Sequence, residues 1–388
     1  MTNTKIPTIH ILGLGAMGTV FSIDLARYTN SKIIPLFRNK SRLLQFQNEN
    51  NNQSQLKIRK IYLPESPIIS AKFNDGQCPE TFSKQFINNL VITTKTYQTK
   101  EALEPYLPYI NSKTNLILIQ NGFGVLDVLR DEVFNNVKVT DRPTVFQGVI
   151  SHGVFQDSKD PYLFIHAGHV GMKVAKLPWE INDEIFQNET QINTIKSNNE
   201  MIELFTSEPF AKEFGLEFLT YQEMLLGQIS KFLVNCCINP ITSIVNGKNG
   251  EIGNGCSDIF KLIVIESLKV LELEYKELFE YESKYNDKIG YPKLSVNKSF
   301  EIEPLVESII NTGCRLNGEN SSSMRQDTLY LRDIEIDYIN GYIIKLVQKH
   351  QLSEDYCKIN ESICALAKLR LIMNRERAAK GIDVKQTL

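Results

Sequence analysis

The chain has 388 residues, 42% of them hydrophobic, which is ample for two domains with packed interiors rather than one core. Its 43 basic residues nearly balance 45 acidic ones, for a formal charge of −2, and no dense basic run is interleaved with aromatics, which argues against a nucleic-acid partner. No apolar stretch approaches the roughly 20 residues that span a bilayer, so a soluble protein with no membrane partner is expected.

The first elements lie in TIHILGLGAMGTVFSIDLARY. Thr8 to Leu12 predicts a short buried strand, and from Ala16 to Tyr28 residues Met17, Val20, Phe21, Asp24 and Leu25 recur at helical spacing on a largely apolar face. Gly13, Gly15 and Gly18 stand at the turn between them. Glycine runs are often plain turns, since glycine reaches backbone angles that other residues avoid. A strand before and a helix after point instead to a dinucleotide loop. There Gly13 makes the tight turn, Gly15 lets the backbone approach a pyrophosphate, and Gly18 lets the helix pack close to its strand. Free N–H groups at the helix start then attract the phosphates. Because the strand starts within the first ten residues, no signal or transit segment is expected, and the cytoplasm is the expected compartment. Seven cysteines, an odd number without a C-x-x-C pair, fit reduced structural thiols.

SKIIPLFRNK predicts the second strand, Lys32 to Phe37. An NAD site would end this strand in a carboxylate that accepts from the ribose 2′-hydroxyl. Arg38 stands there instead, and a guanidinium suits the 2′-phosphate of NADPH. Lys40 or Arg42 would assist; the alternative is a solvated basic loop. Further apolar runs begin at Asn89 (NLVITT), Asn115 (NLILIQ) and Thr144 (TVFQGVIS), and their alternation with helical or loop segments argues a parallel, doubly wound sheet. QNENNNQSQ from Gln47 and the Asn- and Gln-rich run from Gln187 to Glu200 offer little to bury, so both are expected as surface loops or partly disordered insertions. His166 and His169, in HAGH, are three apart in a strand-like stretch; they are expected on opposite faces, a poor chelate, and no metal is expected.

After LEFLTY, Leu216 to Tyr221, long helical patterns run to the end. The predicted fold class is therefore α/β: an N-terminal Rossmann-type doubly wound sheet over residues 1–219, followed by an all-α domain over 220–388 that carries substrate. In GQISKFLVNCCINPITSI, Lys231, Asn235 and Asn239 are four apart and line one side of a helix whose other side is apolar. A lysine on such a helix needs a partner or a wet cavity, unless it snorkels to solvent beside two structural asparagines. Pro240 disfavours helical geometry at Asn239, so the helix is expected to end or kink there. NGENSSSMRQDTLYLRDIEIDYINGY adds a cluster of small hydrogen-bonding groups, Asn320 and Ser321 to Ser323, and Asp333 is placed to cap a helix with Glu335 in its first turn.

Taken in order, GLGAMG (Gly13, Leu14, Gly15, Ala16, Met17, Gly18), TTKTYQT with Lys95, QNGFG with Asn121, KFLVNCCINP followed by NGKNGEI, and SSSMRQD followed by EIDYINGY resemble the ketopantoate reductase family in its larger, fungal-type form, from Thr8 to about His350. The resemblance implies NADPH-dependent reduction of 2-dehydropantoate to (R)-pantoate, a step toward pantothenate and coenzyme A, by a monomer or homodimer. It implies that Lys231 is the general acid and that Glu335 helps to place substrate and lysine. Asn121, Asn235, Asn239, Asn320 and Ser323 are implied as substrate ligands, and the glycine loop, Arg38, Lys95 and Asn121 as the cofactor side. Those residue types suit the chemistry, because hydride arriving at a ketone leaves charge on oxygen that a positioned ammonium stabilises and protonates. One departure is SEDYCKIN, around Asp355 and Cys357, where the family shows a Pro-x-Asn turn. Two other readings stand beside this one: a reductase of another small 2-keto or hydroxy acid, and a family member kept as a non-catalytic nucleotide-binding regulator.

Overall fold

The computed structural model describes residues 6–49, 53–180 and 185–385. Among them are eleven strands: β1 (Thr8–Leu12), β2 (Lys32–Leu36), β3 (Gln55–Lys60), β4 (Ile68–Lys72), β5 (Asn89–Ile92), β6 (Asn115–Leu118), β7 (Thr144–Ile150), β8 (Gly153–Gln156), β9 (Leu163–Gly168), β10 (Met172–Lys176) and β11 (Leu216–Phe218). The chain divides into two compact units, Met1–Gln120 with Leu126–Met224, and Asn121–Val125 with Leu225–Leu388.

In the first unit seven strands form one sheet in the order β11-β10-β7-β6-β5-β1-β2. The five from β2 to β7 are parallel, as the alternation of strands with crossovers requires. β10 runs antiparallel to β7 and carries β11 parallel to itself. The chain reaches β10 through β8 and β9 rather than through a crossover helix, so it can return in the opposite direction. Strand order reverses beside β1, with β2 on one side and β5 on the other, which opens a crevice at their carboxyl ends. In the Ala16–Tyr28 helix the buried Phe21 ring meets Phe205, Phe210 and Phe214, of the helices Glu200–Phe205 and Glu208–Phe214, edge-on at 5.2, 5.6 and 5.2 Å. Asp24, on the same buried face, is matched by the fully buried Lys60 at 3.1 Å, which also pairs with Glu213 at 2.6 Å; burial raises the Asp24 carboxyl to about 6.

Three expectations about this unit are corrected. The polar stretch from Gln47 does not stand alone as a loop: Lys40–Glu49 is helical and the chain enters β3 at Gln55, part of a second sheet ordered β4-β3-β9-β8, while 50–52 lie outside the described residues. The run from Gln187 to Glu200 is helical over Glu189–Asn198 because its amides act as caps. Asn188 and Gln191 bond each other's backbone reciprocally, and Asn199 caps Glu200–Phe205 while donating to Asn115 at 2.7 Å. The rings of His166 and His169 do not diverge: β9 ends at Gly168, releasing His169 from the alternation, and the rings of His152, His166 and His169 gather at centroid distances of 4.8, 4.9 and 5.9 Å.

The second unit is helical, built on Tyr221–Val245 (from Leu225 onward), Ser257–Glu274, Ile302–Ile310, Ser323–Leu329, Asn340–Lys349 and Lys358–Ala379. Tyr221–Val245 is, by length and composition, apolar enough to cross a membrane, contrary to the expectation above, but Phe232, Leu233, Cys236 and Cys237 are buried inside the protein. It also continues past Pro240 to Val245. A proline there leaves the Cys236 carbonyl without its helical donor; the buried Asn340 amide supplies one at 3.1 Å and so removes the penalty that would have ended the helix.

Candidate active site

In the first unit the glycine loop meets the requirements of a phosphate cradle. Gly13 has φ of 104°, and a Cβ on it would sit 2.8 Å from the Thr94 nitrogen; a Cβ on Gly18 would sit 2.0 Å from the Gly13 carbonyl oxygen. The turn can therefore close only without side chains. Gly15 caps the helix, and an added Cβ there meets nothing within 4 Å, so its face is open for a ligand to approach. Gln120 ties β6 to the end of β5, its amide donating to the Thr94 carbonyl at 2.8 Å and to the Thr99 hydroxyl at 2.6 Å.

A cleft of about 680 Å³ runs from Gly13 and Leu14 past Thr94 and Gln98 to Arg38 and Arg42. That volume is in the range of cofactor sites. Arg38 lies just beyond β2, exposed, with one nitrogen 3.0 Å from Glu101, an acceptor 63 residues away that sequence spacing does not pair with it. Arg42 bonds Gln45 at 2.9 Å. Lys40 does not line the cleft, and of the two candidate assistants only Arg42 does. Ala16, Met17 and Gly18 lie in the first turn of the helix. Lys95, half-buried, sits immediately before the short turn Thr96–Gln98.

All seven residues expected to hold substrate belong to the second unit, Asn121 among them. Lys231, Asn235 and Asn239 lie within Tyr221–Val245 at successive helical turns, the first two half-buried and the third buried. Burial lowers the Lys231 ammonium from 10.5 to about 8. Glu335 is buried immediately before the short turn Ile336–Tyr338, whereas Asn320 and Ser323 are exposed.

Three sets of contacts bring these positions together. Phe123, two residues after Asn121, donates its N–H to the Tyr338 carbonyl at 3.0 Å, sets its ring edge-on to Phe232 at 5.0 Å and stacks on Tyr342 at 5.4 Å. The Asn121 loop, the Lys231 turn and the Glu335 turn are thus tied to one aromatic cluster. The Thr242 and Ser322 hydroxyls bond at 2.7 Å, and the Asn249 N–H donates to the Asn320 carbonyl at 3.0 Å, joining the Asn239 end of the helix to the serine loop. Asn340 joins the Cys236 turn to the helix after Glu335. One assignment is corrected: Asp333 does not cap the following turn but receives Arg375 at 2.7 Å, and it is Ser322 that caps Ser323–Leu329. The departure at SEDYCKIN closes as a short turn, Glu354–Tyr356, capped by Ser353.

Two family models match the chain, "Ketopantoate reductase PanE/ApbA" over residues 9–179 and "Ketopantoate reductase PanE/ApbA C terminal" over residues 223–370. The chain belongs to the ketopantoate reductase family. It is 53% identical over 381 residues to the 2-dehydropantoate 2-reductase of Saccharomyces cerevisiae, covering 98% of this chain and 99% of that one. With the probable 2-dehydropantoate 2-reductase of Schizosaccharomyces pombe the identity is 32% over 375 residues, covering 96% and 98%. Among solved structures it resembles D-mandelate dehydrogenase with NADH and anilino(oxo)acetate (TM-score 0.68, 17% identity, 95% and 99% covered) and the probable 2-dehydropantoate 2-reductase of Bacillus subtilis (0.60, 20%, 92% and 99%), which establishes the fold.

Sequence reasoning missed the ties: Phe123, Thr242 with Ser322, and Asn340. The signal available for Asn340 was Pro240 itself, since a proline inside an apolar helix calls for an outside donor to the carbonyl four residues back.

Proposed function

We propose that the protein reduces 2-dehydropantoate to (R)-pantoate, with NADPH in the cleft between the glycine loop and Arg38 and with Lys231 as the proton donor. The observation that carries this is Lys231 itself, an ammonium on a largely apolar helix whose pKa burial has brought to about 8. Near neutrality it is still charged, yet it gives up its proton far more readily than an exposed lysine.

NADPH, when bound, supplies a hydride to the ketone carbon. The pair of electrons of the carbonyl π bond then moves to oxygen, and that oxygen takes a proton from Lys231 Nζ, leaving a neutral amine and an alcohol. Before the transfer the ammonium polarises the carbonyl, and during it the charge developing on oxygen is matched. Asn121, Asn235, Asn239, Asn320 and Ser323 orient the carboxylate and hydroxyl of the acid, and Glu335 positions substrate and lysine. Arg38 and Arg42 hold the 2′-phosphate, the bare backbone around Gly15 the pyrophosphate, and Lys95 supports the cofactor near its reacting end.

Steady-state consumption of NADPH and of NADH with 2-dehydropantoate, beside other small 2-keto acids, tests the reading. The expected result is turnover with 2-dehydropantoate and NADPH well above every other pair. Faster turnover of a different keto acid would reassign the substrate, and tight NADPH binding without consumption by any keto acid would make the chain a nucleotide-binding regulator.

A further inference from the structure

Arg370, Asn374 and Arg377 fall at positions i, i+4 and i+7 of the Lys358–Ala379 helix, on one face. The buried Asn374 amide donates to the Thr328 carbonyl at 3.1 Å, so this face looks toward the Ser323–Leu329 helix, from which Arg325 projects. Arg325 is held in place by Asn246 at 3.1 Å and Ser321 at 3.0 Å. Arg370 Nη2 and Arg377 Nη1 are buried and have no hydrogen-bond partner, and Asn374 Oδ1 is an orphaned acceptor between them in sequence. Asp327 pairs with Arg332 at 3.3 Å and Asp333 with Arg375 at 2.7 Å. Burial, and then the charges of Arg377 and Arg325, press the Arg370 guanidinium below its ordinary pKa.

Buried guanidinium N–H groups without an acceptor, close to like charge, are a costly arrangement unless an anion completes it. We propose that Arg325, Arg370, Arg377 and Asn374 form a second anion site, for a hydrogen phosphate group, distinct from the residues assigned to substrate and cofactor. Phosphate fits because its several oxygens accept from more than one guanidinium fork, while a P–OH can donate to Asn374 Oδ1. Sulfate matches the first requirement only. The group is either free inorganic hydrogen phosphate or the monoanion of a phosphate monoester, each of which keeps a P–OH.

The test uses the full-length chain with NADPH saturating, in chloride of matched ionic strength. Thermal midpoints are followed against inorganic phosphate, glycerol 3-phosphate and sulfate for wild type, Arg377→Met, the Arg370→Met/Arg377→Met double variant and Arg38→Ala. Phosphate should raise the wild-type midpoint saturably and more than sulfate does. The rise should shrink in Arg377→Met, vanish in the double variant and persist in Arg38→Ala. Without phosphate, the methionine variants should melt at or above wild type, because they remove unpaired charge. An equal response to glycerol 3-phosphate identifies a monoester ligand, and a response to phosphate alone identifies the free ion. A wild-type midpoint indifferent to phosphate overturns the proposal. So does a response that survives in the methionine variants or disappears in Arg38→Ala.

Discussion

If Lys231 donates the proton, the alkaline limb of the reduction belongs to it. Burial lowers the group from 10.5 to about 8, which at about 1.4 kcal/mol per unit is roughly 3 kcal/mol in favour of the neutral amine. At pH 7 the ammonium is still about nine-tenths populated and at pH 9 about one-tenth. The kcat/KM for 2-dehydropantoate should therefore be level below pH 7 and fall about tenfold per unit above 8. Lys231→Arg keeps a charge that does not titrate in this range. That variant should lose activity by about 10²-fold or more, from poor proton transfer, and lose the limb as well. Lys231→Met should be inactive yet more stable than wild type below pH 8, by up to about 3 kcal/mol, because it removes a cation that burial penalises. The folded pKa lies below the unfolded one, so this stability gap narrows as pH rises from 8 to 10.5. The assays are pH profiles of NADPH consumption and chemical denaturation at two pH values. An alkaline limb in Lys231→Arg identical to that of wild type would refute the assignment.

Three further outcomes follow from the geometry. Arg38→Ala should weaken NADPH by about 10- to 100-fold, the loss of one to two charge-assisted hydrogen bonds, and leave NADH nearly unchanged, since the exposed Glu101 pair contributes little; equal losses in titrations with the two nicotinamides would contradict the assignment. Asn340→Ala should destabilise by about 2–4 kcal/mol in denaturant titrations, because the Cys236 carbonyl and Asn360 both lose a buried donor; Pro240→Ala in that background should restore part of it by returning a backbone N–H. His166 is fully buried, and burial, then the charges of His152, Lys60 and His169, lower it from 6.5 to about 3. Its neutral form belongs to the folded state, so its contribution is complete above pH 6.5 and declines as pH falls: relative to His166→Asn, wild type should lose about 2 kcal/mol between pH 7 and 5, and a gap independent of pH would sink the argument.

Local signals carried far in this chain. Gly18 must be bare because a Cβ on it would strike the Gly13 carbonyl five residues earlier, a constraint legible in the spacing of the motif, whereas Gly13 is kept bare by Thr94 just past the end of a distant strand, and Gly15 is sterically open. Lys231, Asn235 and Asn239 share a helix face by spacing alone, and the parallel strands follow from their alternation with crossovers. Tertiary structure decided what spacing cannot encode. Whether a helix survives Pro240 depends on a donor 100 residues away in Asn340, and whether HAGH splits its histidines depends on where β9 stops. Asparagine-rich segments became helices because Asn188 and Asn199 found backbone N–H groups to cap. The pKa of Lys231 and the pairing of Arg38 with Glu101 are likewise set by packing, since burial and charge proximity arise only when distant segments meet.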